Sequence, residues 1–171
     1  GIGKEEIDYI RENCPDLDFI SIQMYGDIEN LHQRIEEAGY NGPYLITEWG
    51  ATGHWEVPMT EWGAPIEQTS TEKANAIKYR YENVIAQDSV NCLGSYVFLW
   101  GQKQERTPTW YGLFTENGME MEPIDVMHYF WNNKWPDNQA PKIISADIEG
   151  QGRHSNIKLI PGKKYTASVV Y

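Results

Sequence analysis

The sequence is poor in cysteine and in basic residues and has no long apolar run, and each shortage excludes a class of protein. Its two cysteines, Cys14 and Cys92, lie far apart and match no metal-binding or redox spacing, so we interpret both as buried small residues. Lys and Arg number 14 against 25 Asp and Glu, which gives a net charge of −11. A surface this acidic repels phosphate groups, so we expect neither nucleic acid nor an anionic membrane as a partner. No stretch reaches the roughly 18 apolar residues of a membrane-spanning helix.

The residues that are abundant indicate a folded chain with many large polar aromatics. Hydrophobic residues make up 40% of the 171 residues, which is enough for a packed core and argues against disorder. The chain has 7 Trp and 11 Tyr but only 4 Phe. Large cores use Trp and Tyr, and so do sugar sites, where a flat ring covers the apolar face of a pyranose. Composition alone does not decide between these two uses.

Residues 4–135 alternate between helical and strand-like patterns in the order α-β-α-β-α-β-α. Apolar strands that alternate with helices predict an α/β fold with a parallel sheet. The predicted strands are Leu17–Tyr25, Pro43–Glu48 and Leu93–Trp100. The predicted helices begin at Lys4, near Asp27, after Thr69 and at Pro123.

Several residues give start and stop signals for these helices. Asp27 is a predicted N-cap, and Gly39 stands where a left-handed residue would end the same helix. Thr69 and Glu72 have the spacing of a capping box, and Pro123 suits a first helical turn.

The character of the sequence changes near Pro136, where the segment WPDNQAP indicates a linker. Short strands separated by glycine-containing turns are predicted over Lys142–Ala146, Asn156–Ile160 and Tyr165–Tyr171. We therefore predict a domain over residues 1–136 and, over 137–171, a linker followed by the beginning of a β-sandwich domain.

Residues with chemical potential follow the predicted strands. Ligands of parallel α/β folds meet the carboxyl ends of the strands, and those ends carry Tyr25, Glu48 and Trp100. Each has an ordinary alternative: an ion-paired acid for Glu48, a core tyrosine for Tyr25, and a packing residue for Trp100. A carboxylate at the end of an apolar strand is costly unless it is paired or used, and all three at one rim favour a site.

These segments resemble a known family of enzymes. PYLITEWG at residues 43–50 resembles the seventh-strand motif of the clan-A retaining glycosidases, closest to glycoside hydrolase family 2. LDFISIQMYGD resembles the sixth strand and SYVFLWGQ the eighth, in matching order. The resemblance covers residues 4 to about 135 and implies strands six to eight of a TIM (β/α)8 barrel.

The resemblance also implies roles for individual residues. Glu48 would be the catalytic nucleophile, Tyr25 would orient it through a hydrogen bond, and Trp100 would form an apolar floor for the sugar. Weaker candidates for substrate contact lie in the neighbouring loops: His54, Trp55, Trp62, Gln102 and Trp110. The implied substrate is an oligo- or polysaccharide. No cofactor or metal is implied, and the kinship points to an extracellular or periplasmic bacterial enzyme.

The resemblance places a second carboxyl group, the acid/base, after an Asn at the end of the fourth strand, and no predicted strand here ends in Asn-Glu. We therefore expect the chain alone to hydrolyse little or nothing. Three barrel strands would leave open edges, so we also expect self-association or a companion fragment. Two alternatives stay open, a non-catalytic carbohydrate-binding module and a structural α/β domain, and substitution of Glu48 separates them from a glycosidase.

Overall fold

The computed structural model describes residues 1–171 as a mixed α/β chain with two small sheets. The four α-helices are α1 (Lys4–Asn13), α2 (Leu31–Ala38), α3 (Ser70–Asn83) and α4 (Glu122–Asn132). The six strands are β1 (Ile20–Gln23), β2 (Tyr44–Gly50), β3 (Cys92–Phe98), β4 (Ser145–Ile148), β5 (Gln151–Gly152) and β6 (Ala167–Val170). Strands β1, β2 and β3 form a parallel sheet in that order, as the α/β alternation predicts.

The helices cover one face of this parallel sheet. Ile20, Ile22 and Ile46 are buried on that face and belong to one apolar core with side chains from all four helices. Burial of each such side chain contributes about 1.5–3 kcal/mol. The opposite face is open, and there the Gln23 amide donates to the Thr47 hydroxyl at 2.9 Å. The sheet therefore has one buried face and one face exposed to solvent.

A register irregularity near the end of β2 determines where Glu48 lies. Ile22 of β1 pairs with Ile46, but the next residue, Gln23, pairs with Glu48, so Thr47 is an extra residue in the ladder. Ile46 and Trp49 are both fully buried, whereas Thr47 and Glu48 between them are only partly buried. Strict alternation would have placed Glu48 on the same face as Ile46, so the bulge keeps the carboxylate out of the core.

Most helix signals are confirmed, and one is wrong. Thr69 and Glu72 form both bonds of the capping box at α3, and Gly39 ends α2 in the left-handed conformation at φ 66°. Asp27 is not an N-cap: it lies inside a 3₁₀ turn, Gly26–Asn30, that precedes α2, and its carboxylate pairs with Arg34 at 3.0 Å. The physical reason is that the Glu56 carboxylate accepts the N–H groups of Gly26 and Asp27, so the turn begins before Asp27.

Both cysteines are less buried than the sequence suggests. Cys14 is exposed because it follows the last turn of α1, where the chain leaves the core. Cys92 is half-buried because it begins β3, an edge strand with only β2 beside it.

The C-terminal segment forms a small antiparallel sheet in the order β5-β4-β6. The predicted strand Asn156–Ile160 is wrong, because the hairpin partner of β4 is the short β5 that follows immediately. The turn between them is closed by Asp147, whose carboxylate accepts the Gly150 N–H at 2.8 Å.

The C-terminal segment also contacts the helices directly. Arg153 donates to both carboxylate oxygens of Glu72, one of them at 2.6 Å, and the Ile143 N–H donates to the Thr71 hydroxyl at 2.7 Å. None of the helices combines the length and the apolar character that crossing a bilayer would require.

Candidate functional site

A tyrosine and a glutamate from adjacent strands meet at the carboxyl end of the parallel sheet. The Tyr25 hydroxyl donates to Glu48 Oε2 at 3.0 Å. The backbone brings them together, because the Met24 N–H donates to the Glu48 carbonyl at 3.0 Å. Burial, followed by the hydrogen bond to Glu48 and its negative charge, raises the pKa of Tyr25 above its ordinary value. The phenol therefore stays protonated and remains a donor to the carboxylate.

Three aromatic rings surround the Tyr25 phenol edge-on. Their centroids lie 5.6 Å away for Trp55, 6.1 Å for Phe98 and 5.2 Å for Tyr111. Edge-to-face contacts at these distances stabilise a fixed ring position. Phe98 and Tyr111 were not predicted as site residues. A large aromatic at the end of β3 was visible in the sequence, but nothing in the pattern separated Phe98 from Trp100.

Trp100 does not lie where the sequence placed it. Its side chain is 65% exposed and packs against Phe114 at 4.9 Å and Trp131 at 6.0 Å. Strand β3 ends at Phe98, and the next residue bonds to the loop instead, with the Leu99 N–H donating to the Tyr111 carbonyl at 3.0 Å. The chain therefore turns before Trp100, and Phe98 takes the position beside Tyr25.

The loop after β2 brings His54 and Trp55 to the site. The two rings contact each other edge-on at 4.9 Å, and Trp55 stays 56% exposed beside Tyr25. His54 Nε2 lies 4.0 Å from a carboxylate oxygen of Glu105, and the His54 backbone N–H donates to the Tyr111 hydroxyl at 3.2 Å. A mixed polar and aromatic wall of this kind suits the apolar and hydroxyl faces of a sugar.

The other three predicted sugar contacts, Trp62, Gln102 and Trp110, do not belong to the aromatic cluster around the Tyr25 phenol. Trp62 is 53% exposed further along the same loop, and none of its ring contacts links it to the Tyr25 cluster. The Gln102 amide donates to the Pro108 carbonyl at 3.2 Å, within its own loop. Trp110 is only 2% exposed, and its indole N–H donates to the Thr52 carbonyl at 3.0 Å. Trp110 is thus a packing residue, and its buried ring offers no open face to a sugar.

Two buried charges behind the site hold its loops in place. The Arg80 guanidinium, 4% exposed, donates to the Gly50 carbonyl at 2.8 Å and to the Thr52 hydroxyl at 2.9 Å. Glu67 pairs with the buried Lys73 and accepts the Thr109 hydroxyl at 2.8 Å. These contacts join helix α3 to the loops that follow β2 and β3.

The groups around Glu67 determine its ionisation. Burial alone would raise its pKa, but the charge of Lys73 and the hydrogen bonds from Lys73, Thr107 and Thr109 outweigh burial and lower the pKa. The loop after β3 is therefore held by an ionised carboxylate at neutral pH.

Two glutamates near the site were not among the predicted site residues. Glu105 lies close enough to Tyr25 for its charge to raise the pKa of that phenol. Glu56 accepts backbone N–H bonds from Gly26, Asp27 and Gly53. No sequence pattern could have found the first two of these bonds, because the partners are about 30 residues apart. No three His, Cys, Asp or Glu side chains come close enough together to hold a metal ion.

The arrangement as a whole presents one carboxylate in a defined orientation. Glu48 Oε2 is engaged by a phenol, and Oε1 makes no hydrogen bond within the chain. An aromatic wall stands beside the pair, and the helices lie on the other side of the sheet. Such a carboxylate can accept hydrogen bonds from a ligand or attack an electrophilic carbon.

Comparison with known proteins gives little that bears on this chain. No family model matches it, and no curated protein matches it. The similar solved structures include two crystal structures of GH2 beta-galacturonidase from Eisenbergiella tayi, one bound to galacturonate and one bound to glycerol. The TM-scores are 0.48 and 0.47, at 17% and 19% identity over 68% and 71% of this chain. The chain spans about a quarter of the length of those structures, 24% and 25%. A likeness of this strength determines neither family nor activity.

Proposed function

We propose that this chain is part of a retaining glycoside hydrolase in which Glu48 is the nucleophile and Tyr25 orients it. The observation that carries the proposal is the 3.0 Å hydrogen bond from the Tyr25 hydroxyl to Glu48 Oε2, at the carboxyl ends of adjacent parallel strands. Ligands of such sheets meet this end of the strands. The resemblance of residues 43–50 to the nucleophile strand of clan-A glycosidases supports the same assignment.

The chemistry follows from the two oxygens of Glu48. Oε2 accepts the Tyr25 hydroxyl, which leaves Oε1 to bond to the anomeric carbon of a β-glycoside while the bond to the leaving oxygen breaks. The leaving oxygen takes a proton from the acid/base, and water later cleaves the glycosyl ester and restores the carboxylate. Tyr25 keeps its proton throughout and fixes the direction of attack.

The supporting aromatics fit a sugar next to this carboxylate. Trp55 is 56% exposed and in contact with Tyr25, so an open indole face lies near the proposed nucleophile. Phe98, on the third strand beside Tyr25, takes the role of apolar floor that the resemblance implies for Trp100. The substrate in this proposal is an oligo- or polysaccharide.

We place this site in a larger enzyme. Residues 1–136 would form the last three strand–helix units of a (β/α)8 barrel, and residues 137–171 the beginning of a β-sandwich domain. A parallel sheet with helices on one face and an open face on the other supports this placement. The resemblance to clan-A glycosidases is also the basis on which we propose an extracellular or periplasmic location.

Hydrolysis of ordinary glycosides by the 171-residue chain should be little or none. The acid/base of the clan follows an Asn at a strand end, and no strand here ends in Asn-Glu. General acid help accounts for about 10²–10⁴-fold of a rate. Robust turnover of unactivated glycosides by the isolated chain would contradict this part of the proposal.

Covalent labelling tests the nucleophile directly. Aryl 2-deoxy-2-fluoroglycosides with a dinitrophenyl leaving group need no proton from an acid, so they can react with the nucleophile alone. We expect intact-mass spectrometry to show one added fluorosugar and peptide mapping to place it on Glu48. Glu48→Gln should abolish the adduct, and Tyr25→Phe should slow its formation.

Glu61→Gln is the matched control, because Glu61 lies in the same loop region and its side chain is 66% exposed. This variant should be labelled at the wild-type rate. A different outcome would favour a carbohydrate-binding module. In that case the chain would bind sugar but never be labelled, and Glu48→Gln would still bind sugar.

A further inference from the structure

Glu56 has an unusual set of contacts for a half-buried loop carboxylate. Its Oε2 accepts the N–H groups of Gly26 and Gly53, both at 2.7 Å, and its Oε1 accepts the Asp27 N–H at 2.9 Å. All three donors are backbone groups, and no cation pairs with this carboxylate. Bonds from N–H groups to an ionised acceptor are stronger than neutral ones, so Glu56 joins two loops firmly.

These contacts lie directly beside the proposed catalytic pair. Gly26 and Asp27 are the two residues after Tyr25, so the carboxylate fixes the backbone from which the phenol projects. Gly53 and Glu56 close a tight turn, with the Glu56 N–H donating to the Gly53 carbonyl at 2.9 Å. Trp55 lies within that turn and contacts the Tyr25 ring.

The two glycines leave no room for a side chain at this point. A Cβ on Gly26 would lie 2.8 Å from Glu56 Oε2, and a Cβ on Gly53 would lie 2.9 Å from the same oxygen and 2.7 Å from the Trp55 ring. The carboxylate can approach both backbones because both residues are glycine.

We infer that Glu56 is a positioning residue that holds the Tyr25 hydroxyl on Glu48 and the Trp55 ring beside it. It acts by bonding the turn after β1 to the turn after β2, so a single carboxylate sets the relative position of the phenol and the indole. Its importance for catalysis rests on the proposed function, whereas the coupling from Glu56 to the Tyr25–Glu48 hydrogen bond does not.

Nuclear magnetic resonance of the 171-residue chain labelled with ¹³Cζ-tyrosine tests this coupling without any substrate. The signal of Tyr25 among the 11 tyrosines is the one that Tyr25→Phe removes. Glu48→Gln removes the charged acceptor and gives the reference displacement of that signal. We expect Glu56→Gln to displace the signal in the same direction, and to add little when Glu48→Gln is already present. Glu61→Gln should leave it unmoved.

A merely structural role for Glu56 gives a different pattern. An unmoved Tyr25 signal in folded Glu56→Gln, or an equal displacement with and without Glu48→Gln, overturns the inference. Should Glu56→Gln fail to fold, Gly26→Ala is the second variant, because its Cβ would displace the Glu56 carboxylate. An unmoved Tyr25 signal, or an equal displacement with and without Glu48→Gln, would again overturn the inference. Absence of fluorosugar labelling would count against the proposed function and leave this result standing.

Discussion

Glu48 reaches the open side of the sheet because one extra residue, Thr47, interrupts the pairing of β1 with β2. The segment PYLITEWG predicts a strand over Pro43–Glu48; the strand is confirmed, but it runs over Tyr44–Gly50 and continues two residues past Glu48. Alternation read from the sequence could not say on which face Glu48 would lie, because a bulge reverses the faces beyond it. The hydrogen bond from Tyr25 to Glu48 is present as expected, and the catalytic roles of both residues stay predictions.

Phe98 and Trp100 illustrate the same limit of sequence reasoning. Both are aromatic, both lie near the end of β3, and the larger indole is the better sugar platform in isolation. The choice depends on where the strand ends. Two bonds between Leu99 and the following loop decide this: the Leu99 N–H donates to the Tyr111 carbonyl, and the Leu99 carbonyl accepts the Leu113 N–H.

Glu67 gives the molecule an acid-sensitive contact. Its pKa in the folded chain is lowered, so the stability that it contributes is present at neutral pH. That contribution is lost as the pH falls below about 4.3, the ordinary value of an unfolded Glu, and through the lower folded value. We expect Glu67→Gln to lower the free energy of unfolding at pH 7 by about 3 kcal/mol, because it leaves Lys73 buried without its partner. Urea unfolding at pH 7 and pH 3 measures this, and the variant should lose less stability between the two than the wild type.

Glu82→Gln is the control for this prediction. It removes the ion pair between Glu82 and Lys78, whose side chains are 40% and 39% exposed, respectively. The free energy of unfolding should therefore change by at most about 0.5 kcal/mol. Equal losses for the two variants would contradict the importance of the buried pair.

At the scale of elements, the start of α3 is the most completely specified by sequence. Thr69 accepts the Glu72 N–H and Glu72 accepts the Thr69 N–H, which satisfies two of the free donors of the helix. We expect Thr69→Ala to lower the free energy of unfolding by about 1 kcal/mol, because it removes the cap acceptor. Chemical denaturation monitored by far-UV circular dichroism measures the change.

Thr166→Ala is chemically the same substitution at an exposed residue whose hydroxyl makes no hydrogen bond. It should leave the unfolding midpoint near that of the wild type. A loss as large as that of Thr69→Ala would show that the cap is not the cause.

The long loops could not be predicted from sequence. Their courses are determined by carboxylates and a guanidinium that bond to distant backbone: Glu56 to the turn after β1, Arg80 to Gly50, and Glu67 to the loop after β3. The incorrect N-cap at Asp27 has the same origin, because Glu56 already accepts the Asp27 N–H. A local pattern contains no information about a partner 30 residues away.

At the scale of the whole molecule, the parallel sheet has two free edges. Strands β1 and β3 each pair only with β2, and β3 exposes Leu93 at 57% and Tyr96 at 63%. Unpaired edges of this kind recruit other strands. We therefore expect the chain to self-associate or to bind a companion piece, with an apparent mass in light scattering that rises with protein concentration.

Leu93→Lys should shift that equilibrium toward the monomer, because a charge on an edge strand opposes pairing with another copy. Val90→Lys, at an 84% exposed site just before β3, is the matched control and should have little effect. A wild-type chain that stays monomeric at all concentrations would contradict the expectation.

Charge is divided unevenly between the two segments of the chain. Residues 137–171 contain five Lys or Arg and three Asp or Glu, whereas residues 1–136 contain nine and 22. The bidentate pair of Arg153 with Glu72 joins the two segments and lowers the pKa of Glu72 through its hydrogen bonds. The division into domains at residue 136 stays a prediction.

The sequence by itself determined the order of helices and strands over residues 4–135, the capping of α3, the end of α2 at Gly39 and the parallel sheet, because these depend on local periodicity and on residues within one turn of each other. Only the tertiary structure decided which face carries Glu48, that Phe98 rather than Trp100 adjoins Tyr25, that Trp110 is buried, and that Glu56 holds the turn after β1. Each of these depends on bonds between segments far apart along the chain, and such bonds exist only once the sheet and its loops are assembled.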